Sequence, residues 1–266
     1  MQVAILTVGD ELLAGDTVNT NAAWLAEEIH DRGGSVRRIL TVPDDADVIA
    51  RRVYDWHESF DAVVVTGGLG GTPDDVTMDA VAMAFDRNAT VDTEIRDRLE
   101  AKARKFAAEN LELTDEYDLE LDLDEAAELP TGGRPLITDA GWAPGCVVEN
   151  VYVLPGIPRE MKAMFELIAD EFDGAVVSET IHTPAPEGAL GTVLAGVRDR
   201  FDVAVGSYPG RGDTPGRLKV TSTDADEISA AVAWLRDNVE IANVNESGSK
   251  SGDWSEPDEI SDSGTR

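Results

Sequence analysis

Three turns hold the residues of this chain whose types and spacing suit chemistry. The first, Gly9-Asp10-Glu11-Leu12-Leu13-Ala14-Gly15, puts two adjacent carboxylates directly behind a short apolar run. The second, Thr66-Gly67-Gly68-Leu69-Gly70-Gly71-Thr72-Pro73-Asp74-Asp75, packs four glycines into five positions and ends on two more carboxylates. Glycines there permit positive φ and let backbone N–H groups approach a ligand, and the helix that follows presents an N-terminus that favours an anion. The third, Leu154-Pro155-Gly156-Ile157-Pro158-Arg159-Glu160, is a strand-to-helix junction in which a proline is placed to open the helix, and Arg159 or Lys162 supplies a cation within reach of a phosphate. Asn19 and Asn21 read either as helix-start residues, with Asn19 as the cap, or as amide contacts to a ligand in the same cleft.

A phosphate at these turns meets an electrostatic conflict, because Asp10, Glu11, Asp74 and Asp75 would repel it. The chain has no Gly-Lys-Ser/Thr phosphate loop, which excludes an ordinary P-loop nucleotidase and leaves no lysine to neutralise the charge. A hard divalent cation, Mg²⁺ or else Mn²⁺ or Co²⁺, resolves the conflict, since Mg²⁺ takes one or two carboxylates and fills its shell with water and phosphate oxygens. Such an ion polarises a phosphoryl oxygen and lowers the pKa of a bound water, the chemistry of pyrophosphate hydrolysis or nucleotidyl transfer. Thr72-Pro73-Asp74-Asp75 has a second reading as plain helix-start chemistry: Thr at the N-cap, Pro at the first helical position, acids facing the dipole. Both readings of Thr72 and Asp75 stand at this level. His30, His57 and His182 have no ligand spacing, and Cys146, the only cysteine, sits in an apolar strand and reads as core.

The elements that must position these turns are legible as well. Val3 to Val8, Ser35 to Val42 and Ala62 to Val65 read as strands alternating with helices that carry Ala22, Leu25, Ala26 and Ile29, and then Asp45 to Trp56. Further helices are expected over Asp74 to Phe85 and Thr93 to Ala108, and short strands at Pro135 to Thr138 and between Gly145 and Leu154. Met161, Met164, Phe165 and Ile168 recur at helical spacing and close the first domain. Glu109 to Glu128 is a solvated acidic excursion, and the chain beyond Asn243 is a disordered tail. The expected organisation is therefore an α/β domain over 1–172 built on an open, mostly parallel sheet, a small α+β domain over 173–242, and a tail over 243–266. In an open parallel sheet, ligands bind beyond the carboxyl ends of the strands where the winding reverses, which is where the three turns fall.

Composition narrows the partners. Against 53 Asp and Glu stand 22 Lys and Arg, a formal charge of -31, so the long-range field repels nucleic acid and anionic membrane alike. The 42% of apolar residues fall in periodic blocks, which excludes global disorder, and the acid excess reads as a surface suited to concentrated salt. One cysteine, no basic leader and no apolar stretch of about 18 residues point to a soluble cytoplasmic protein.

The residues Thr7 to Gly15, Val18-Asn19-Thr20-Asn21-Ala22, Thr66 to Thr77 and Leu154 to Met161, in this order over the first two thirds of the chain, resemble the N-terminal domain of the competence/damage-inducible protein A (CinA) family, within the MoaB/Mog molybdopterin-binding superfamily. Residues Ala175 to Val239, with Gly206-Ser207-Tyr208-Pro209, look like the smaller domain that follows in that family. The resemblance implies a three-layer MoaB/Mog-like α/β domain, a homo-oligomer (dimer or trimer), and a cleft that takes a small nucleotide or pterin. In CinA-type proteins, and in the related domain of eukaryotic FAD synthases, it implies metal-dependent hydrolysis of dinucleotide pyrophosphates such as ADP-ribose or FAD. Glu11 and Asp75 stand at the family's acidic pair, with Asp10 beside them, and are the expected metal and catalytic residues. Gly67, Gly68 and Gly70 fall on its phosphate turn, and Thr72, Asn19, Asn21, Pro155, Gly156 and Arg159 complete the expected ligand contacts. The alternatives are a molybdopterin-binding or adenylating protein of molybdenum cofactor biosynthesis and a non-catalytic nucleotide-binding regulator. Three departures from the pattern are visible: Gly71 replaces a proline, Asp10 replaces a frequent Thr, and Pro186-Glu187-Gly188 lacks a Ser after the Glu. The C-terminal nicotinamide-mononucleotide deamidase domain of full-length CinA proteins has no counterpart in this sequence, so that activity is expected to be absent.

Overall fold

Strand β1 (Gln2–Val8) is buried at every position after Gln2, and β3 (Ala62–Thr66) is buried at all five. Strands covered on both faces need helices on both sides, and the sequence supplies them between successive parallel strands. Helix α2 (Thr20–Asp31) follows a short helix α1 (Asp10–Ala14), and α3 (Ala46–His57) follows β2 (Ser35–Val42). The computed structural model describes residues 1–109, 122–210 and 214–242. Most of the acidic excursion and the expected tail lie outside them.

The chain divides into two units, Met1–Val176 and Val177–Arg266. In the first, α4 (Thr77–Ala84), β4 (Ala89–Val91) and α5 (Thr93–Glu109) lead to β5 (Glu128–Pro130), β6 (Arg134–Leu136), β7 (Gly145–Val148), β8 (Val151–Leu154) and α6 (Pro158–Phe165). The main sheet has the order β2-β1-β3-β8-β7-β6. Its first four strands are parallel, β7 is added antiparallel to β8, and β6, antiparallel to β7, resumes the common direction at the edge. Two apolar layers sandwich it. One contains Ile49, Val53, Val81 and Ile95, and the other Leu25, Ile29, Met161 and Phe165. This is the expected three-layer α/β domain on a mostly parallel sheet.

The winding fixes where a ligand can bind. The chain passes from β1 to β2 on one side of it and then to β3 on the other, so the crossovers diverge between β1 and β3 and leave a crevice at their carboxyl ends. Asn19 caps α2, accepting from Ala22 N, and Asp45 caps α3, accepting from Val48 N.

Several boundaries differ from the sequence expectation for physical reasons. Helix α4 starts at Thr77 behind Val76, which makes no side-chain cap, instead of at Asp74 behind Thr72. Asp75 is spent on its own turn, accepting from the N–H and hydroxyl of Thr72, and Thr77 N donates to Gly68 O. Helix α6 ends at Phe165, and the chain continues to Phe172 through a 3₁₀ turn, so Ile168 packs in the core from outside the helix. The β4–β5 pair was not expected from sequence, since two three-residue strands carry too little periodicity to stand out.

The second unit is a three-stranded antiparallel sheet of order β10-β11-β9, built from β9 (Val177–Thr183), β10 (Ala204–Tyr208) and β11 (Gly216–Ser222). Helices α7 (Gly191–Arg200) and α8 (Ala225–Asn238) bury Val197, Ile228, Val232 and Leu235 against Ile181, Leu218 and Val220. It is the small α+β domain expected from the sequence.

Candidate functional site

At the carboxyl ends of β1, β3 and β8 a cavity of about 440 Å³ opens. The glycine-rich turn forms its floor by close backbone approach. Gly67 sits at φ +107° with its Cα so near β1 that a Cβ would lie 2.2 Å from Val8 O, and Gly68, at φ +63°, would put one 2.4 Å from Thr77 Oγ1. A side chain at Gly67 would push the turn off β1 and one at Gly68 would displace Thr77, and both positions carry a positive φ that favours glycine. The Pro155-Gly156 turn closes the opposite side: Thr66 Oγ1 donates to Pro155 O at 2.8 Å, and Gly156 packs on Gly67.

The structure brings together most of the residues singled out by sequence. Glu11, Asn19, Asn21, Gly67, Gly68, Gly70, Asp75, Pro155 and Gly156 all line the cavity. Asp75 approaches Gly70 so closely that a Cβ there would lie 2.4 Å from Asp75 Oδ2. That oxygen accepts from Thr72 Oγ1 at 2.6 Å and Thr72 N at 3.0 Å, so the carboxylate is held in one orientation at the mouth of the turn.

Three of the singled-out residues stand outside the lining. Asp10 is exposed, and its N–H donates to Asp44 Oδ2 at 2.8 Å. Thr72 acts through Asp75 instead of facing the cavity, and the Arg159 guanidinium turns away to donate to Ala140 O at 2.8 Å. Asn19 lines the cavity but its amide is committed at both ends, to Ala22 N through oxygen and to Thr7 Oγ1 and Thr41 Oγ1 through nitrogen. Asn21 differs: its nitrogen donates to Gly156 O at 2.6 Å, while its oxygen is buried without a partner among the described residues. A ligand donor reaching that oxygen would satisfy it.

Sequence reading missed Asp44 and Glu160, both on the lining. Asp44 follows β2 at the same sheet edge, so the strand-end rule that singled out the first two turns applies to it equally. Burial holds the Asp44 carboxyl above the usual carboxylate range, and the neighbouring charges of Asp10, Asp74 and Asp75 add to that, against the Asp10 N–H bond. Glu160, 6% exposed, is likewise pushed up by burial, with Lys102, Arg159 and the Trp142 N–H acting the other way. Among the described residues no Lys or Arg lines the cavity, while five carboxylates do: Glu11, Asp44, Asp74, Asp75 and Glu160.

The oxygen-only donor set suits a hard divalent ion. Among the described residues no group of three or more His, Cys, Asp or Glu side chains is arranged to hold a metal. The protein's share is therefore at most a pair of carboxylates, the small share that Mg²⁺ takes when water and phosphate complete its shell. Cys146 is fully buried and its thiol is pushed up to about 12 by burial, so it is core and no nucleophile at neutral pH. His57 is bonded to Asn150 at 2.6 Å, away from the cavity.

A doubly wound α/β domain with a glycine-floored, acidic crevice at its switch point, followed by a small α+β unit, defines a class of ligand-binding protein. The chain belongs to the family described as "Probable molybdopterin binding domain", which it matches over residues 4–173, and its second unit matches the "FAD synthase, middle domain" over residues 175–247. A protein of Archaeoglobus fulgidus is 35% identical over 234 residues, 87% of this chain and 95% of that one. A CinA-like protein of Citrifermentans bemidjiense is 41% identical over 170 residues, 62% of this chain and 39% of the relative. The crystal structure of the protein CinA from Thermoplasma acidophilum, described as of unknown function, aligns with a TM-score of 0.56 at 32% identity, over 64% of this chain and 97% of that one. The kinship is thus to CinA-like proteins through this molybdopterin-binding-type domain. Among the described residues no helix is long and apolar enough to cross a membrane.

Proposed function

We propose that this protein is a divalent-metal-dependent nucleotide pyrophosphatase acting on a dinucleotide such as ADP-ribose or FAD. The observation that carries the reading is the charge of the cavity: carboxylates from four strand ends, a floor of glycine backbone and, among the described residues, no cationic side chain to meet a phosphate. Glu11 and Asp75 would hold the ion, which when bound supplies positive charge for the diphosphate and acidifies water. Thr72 fixes the Asp75 carboxylate, so that little reorganisation is needed on binding. Apart from Leu69, the residues from Gly68 to Gly70 line the cavity without side chains that would fill it, whereas the Gly67 N–H is already donated to Leu154 O; the Asn21 oxygen, unpartnered among the described residues, is buried beside them. The match of the second unit to the FAD synthase middle domain supports a flavin or adenine dinucleotide as substrate.

The test is release of AMP from ADP-ribose and from FAD in molar KCl, with Mg²⁺, Mn²⁺ or Co²⁺ and with a chelator control. Turnover is expected only with metal, and Asp75→Ala is expected to lower kcat by about 100-fold or more with its fold intact by circular dichroism. Full activity in a folded Asp75→Ala protein, or turnover unaffected by chelator, removes the assignment. The match to the molybdopterin-binding family favours one second reading, a pterin-binding or adenylating protein. It predicts tight binding of molybdopterin or its adenylate and no hydrolysis of either dinucleotide.

A further inference from the structure

Beside the glycine-floored cavity, the first unit has a second one of about 670 Å³ between α5 and the segment 137–144. Its volume lies within the usual range for small-ligand sites, roughly 300 to 1,000 Å³. Its chemistry is the reverse of the first. Arg98, Lys102 and Lys105 follow one another at i, i+4 and i+7 along α5 and line it together, against two carboxylates, Glu109 and Asp139. Two of the chain's five lysines thus share one pocket in a protein of net charge -31. Lys102 is fixed in the wall: its ammonium donates to Gly141 O and lies 5.1 Å from the centre of the Trp142 ring. Arg98 and Lys105 are only loosely paired within their own helix, at 3.7 Å to Glu94 and 4.0 Å to Glu109, and their side chains are 55% and 75% exposed. Phe106 and Trp142 meet edge to face at 5.9 Å and form an aromatic corner, with Trp142 38% exposed.

We propose that this pocket is a second binding site, for a nucleoside monophosphate or a ligand carrying that group: a planar base against the exposed part of Trp142 and a phosphate at Arg98 and Lys105. Each half of such a ligand has its counterpart on the page. A base stacks on aromatic faces whatever its identity, and guanidinium and ammonium groups neutralise a phosphate directly, so that no metal is needed here, in contrast to the acidic cleft. Ala143 lines both cavities, and Gly141, which Lys102 holds, packs directly on Glu160 of the first. An occupant would therefore lie next to the wall of the cleft.

The test is titration of AMP by calorimetry in the presence of EDTA, with ribose 5-phosphate, adenosine and inorganic phosphate as partial ligands. AMP is expected to bind more tightly than any of the three. Charge reversal in the Arg98→Glu/Lys105→Glu protein should weaken AMP about tenfold or more. Trp142→Leu should weaken AMP by about tenfold and abolish its preference over ribose 5-phosphate. Asp75→Ala should leave AMP binding unchanged. Absence of AMP binding, or binding equal in wild type and both pocket variants, overturns the proposal. Binding lost in Asp75→Ala but kept in the charge-reversed protein overturns it too, by placing AMP in the cleft. Arg98→Gln/Lys105→Gln, which only removes charge, replaces the reversed pair should that protein fail to fold.

Discussion

Single residues set both the shape and the charge of the glycine-floored cavity. Gly67 holds a left-handed φ and has Val8 O where a Cβ would stand, so Gly67→Ala combines backbone strain with a clash against a strand that cannot move. The variant should lose about 1 to 3 kcal/mol or more of stability in urea unfolding and should bind no ligand in the cleft. Wild-type stability would show that the turn has room to shift. Asp44 gives a pH signature. Its carboxyl is held above the usual value by burial and by neighbouring carboxylates, so the folded state favours the protonated form. The ionised form is then a burden on folding: absent below the unfolded pKa of about 3.8, it grows as pH rises through the raised folded value and is complete above it. Asp44→Asn, which keeps an acceptor for the Asp10 N–H, should therefore gain thermal stability over wild type as pH rises through that window. The gap should narrow when Mg²⁺ is added. A gap that is constant with pH would show that the Asp44 carboxyl is not held above its usual value in the folded protein.

At the scale of elements, the start of α4 shows how a local signal is overruled. Thr72, Pro73 and Asp74 have the types that open a helix, yet the helix begins at Thr77 because Asp75 is committed to Thr72 and Thr77 N is committed to Gly68 O. A turn that grips its own carboxylate keeps that group at the cavity instead of in a cap. Thr77, fully buried, is left with a hydroxyl that has no partner among the described residues. Thr77→Val should thus be neutral or stabilising by up to about 1 kcal/mol in chemical denaturation, since the shape is kept and an unsatisfied group removed. A loss larger than that would mean the hydroxyl serves a bound water or ligand. Parallel strands, by contrast, were legible, because Val3 to Leu6 and Ala62 to Val65 are apolar at every position and bounded by turn residues. The β4–β5 pair and α1 were not, being too short for a period to develop.

The whole molecule carries a net charge of -31. Most ion pairs among the described residues sit at the surface, Arg32–Glu28 being a partly buried exception, and exposed pairs are worth little each, so they do not offset the mutual repulsion of the remaining carboxylates. Concentrated salt screens that repulsion. The melting temperature should climb steadily between about 0.1 and 2 M KCl, with partial unfolding in dilute buffer. A protein fully stable in dilute buffer would sink the salt-adaptation reading of the acid excess. The same charge makes the basic pocket on α5 stand out, because any cluster of cations in such a chain is held against the prevailing composition.

What the sequence determined by itself is the set of turns and the layered fold that presents them. The apolar periods dictate which segments are buried strands and which are amphipathic helices, and glycine and proline mark where the chain must turn sharply. That was enough to place Glu11, Gly67, Gly68, Gly70, Asp75 and Pro155 at one edge of one sheet. Only the tertiary structure decided which neighbours of these residues face the cavity. It turned Arg159 away to Ala140, kept Asp10 outside, brought in Asp44 and Glu160, and opened the second pocket where α5 meets Trp142. The reason is physical: strand and helix identity follow from local patterns of two to four residues, whereas the direction of an exposed side chain depends on partners far away in the chain that no local pattern encodes.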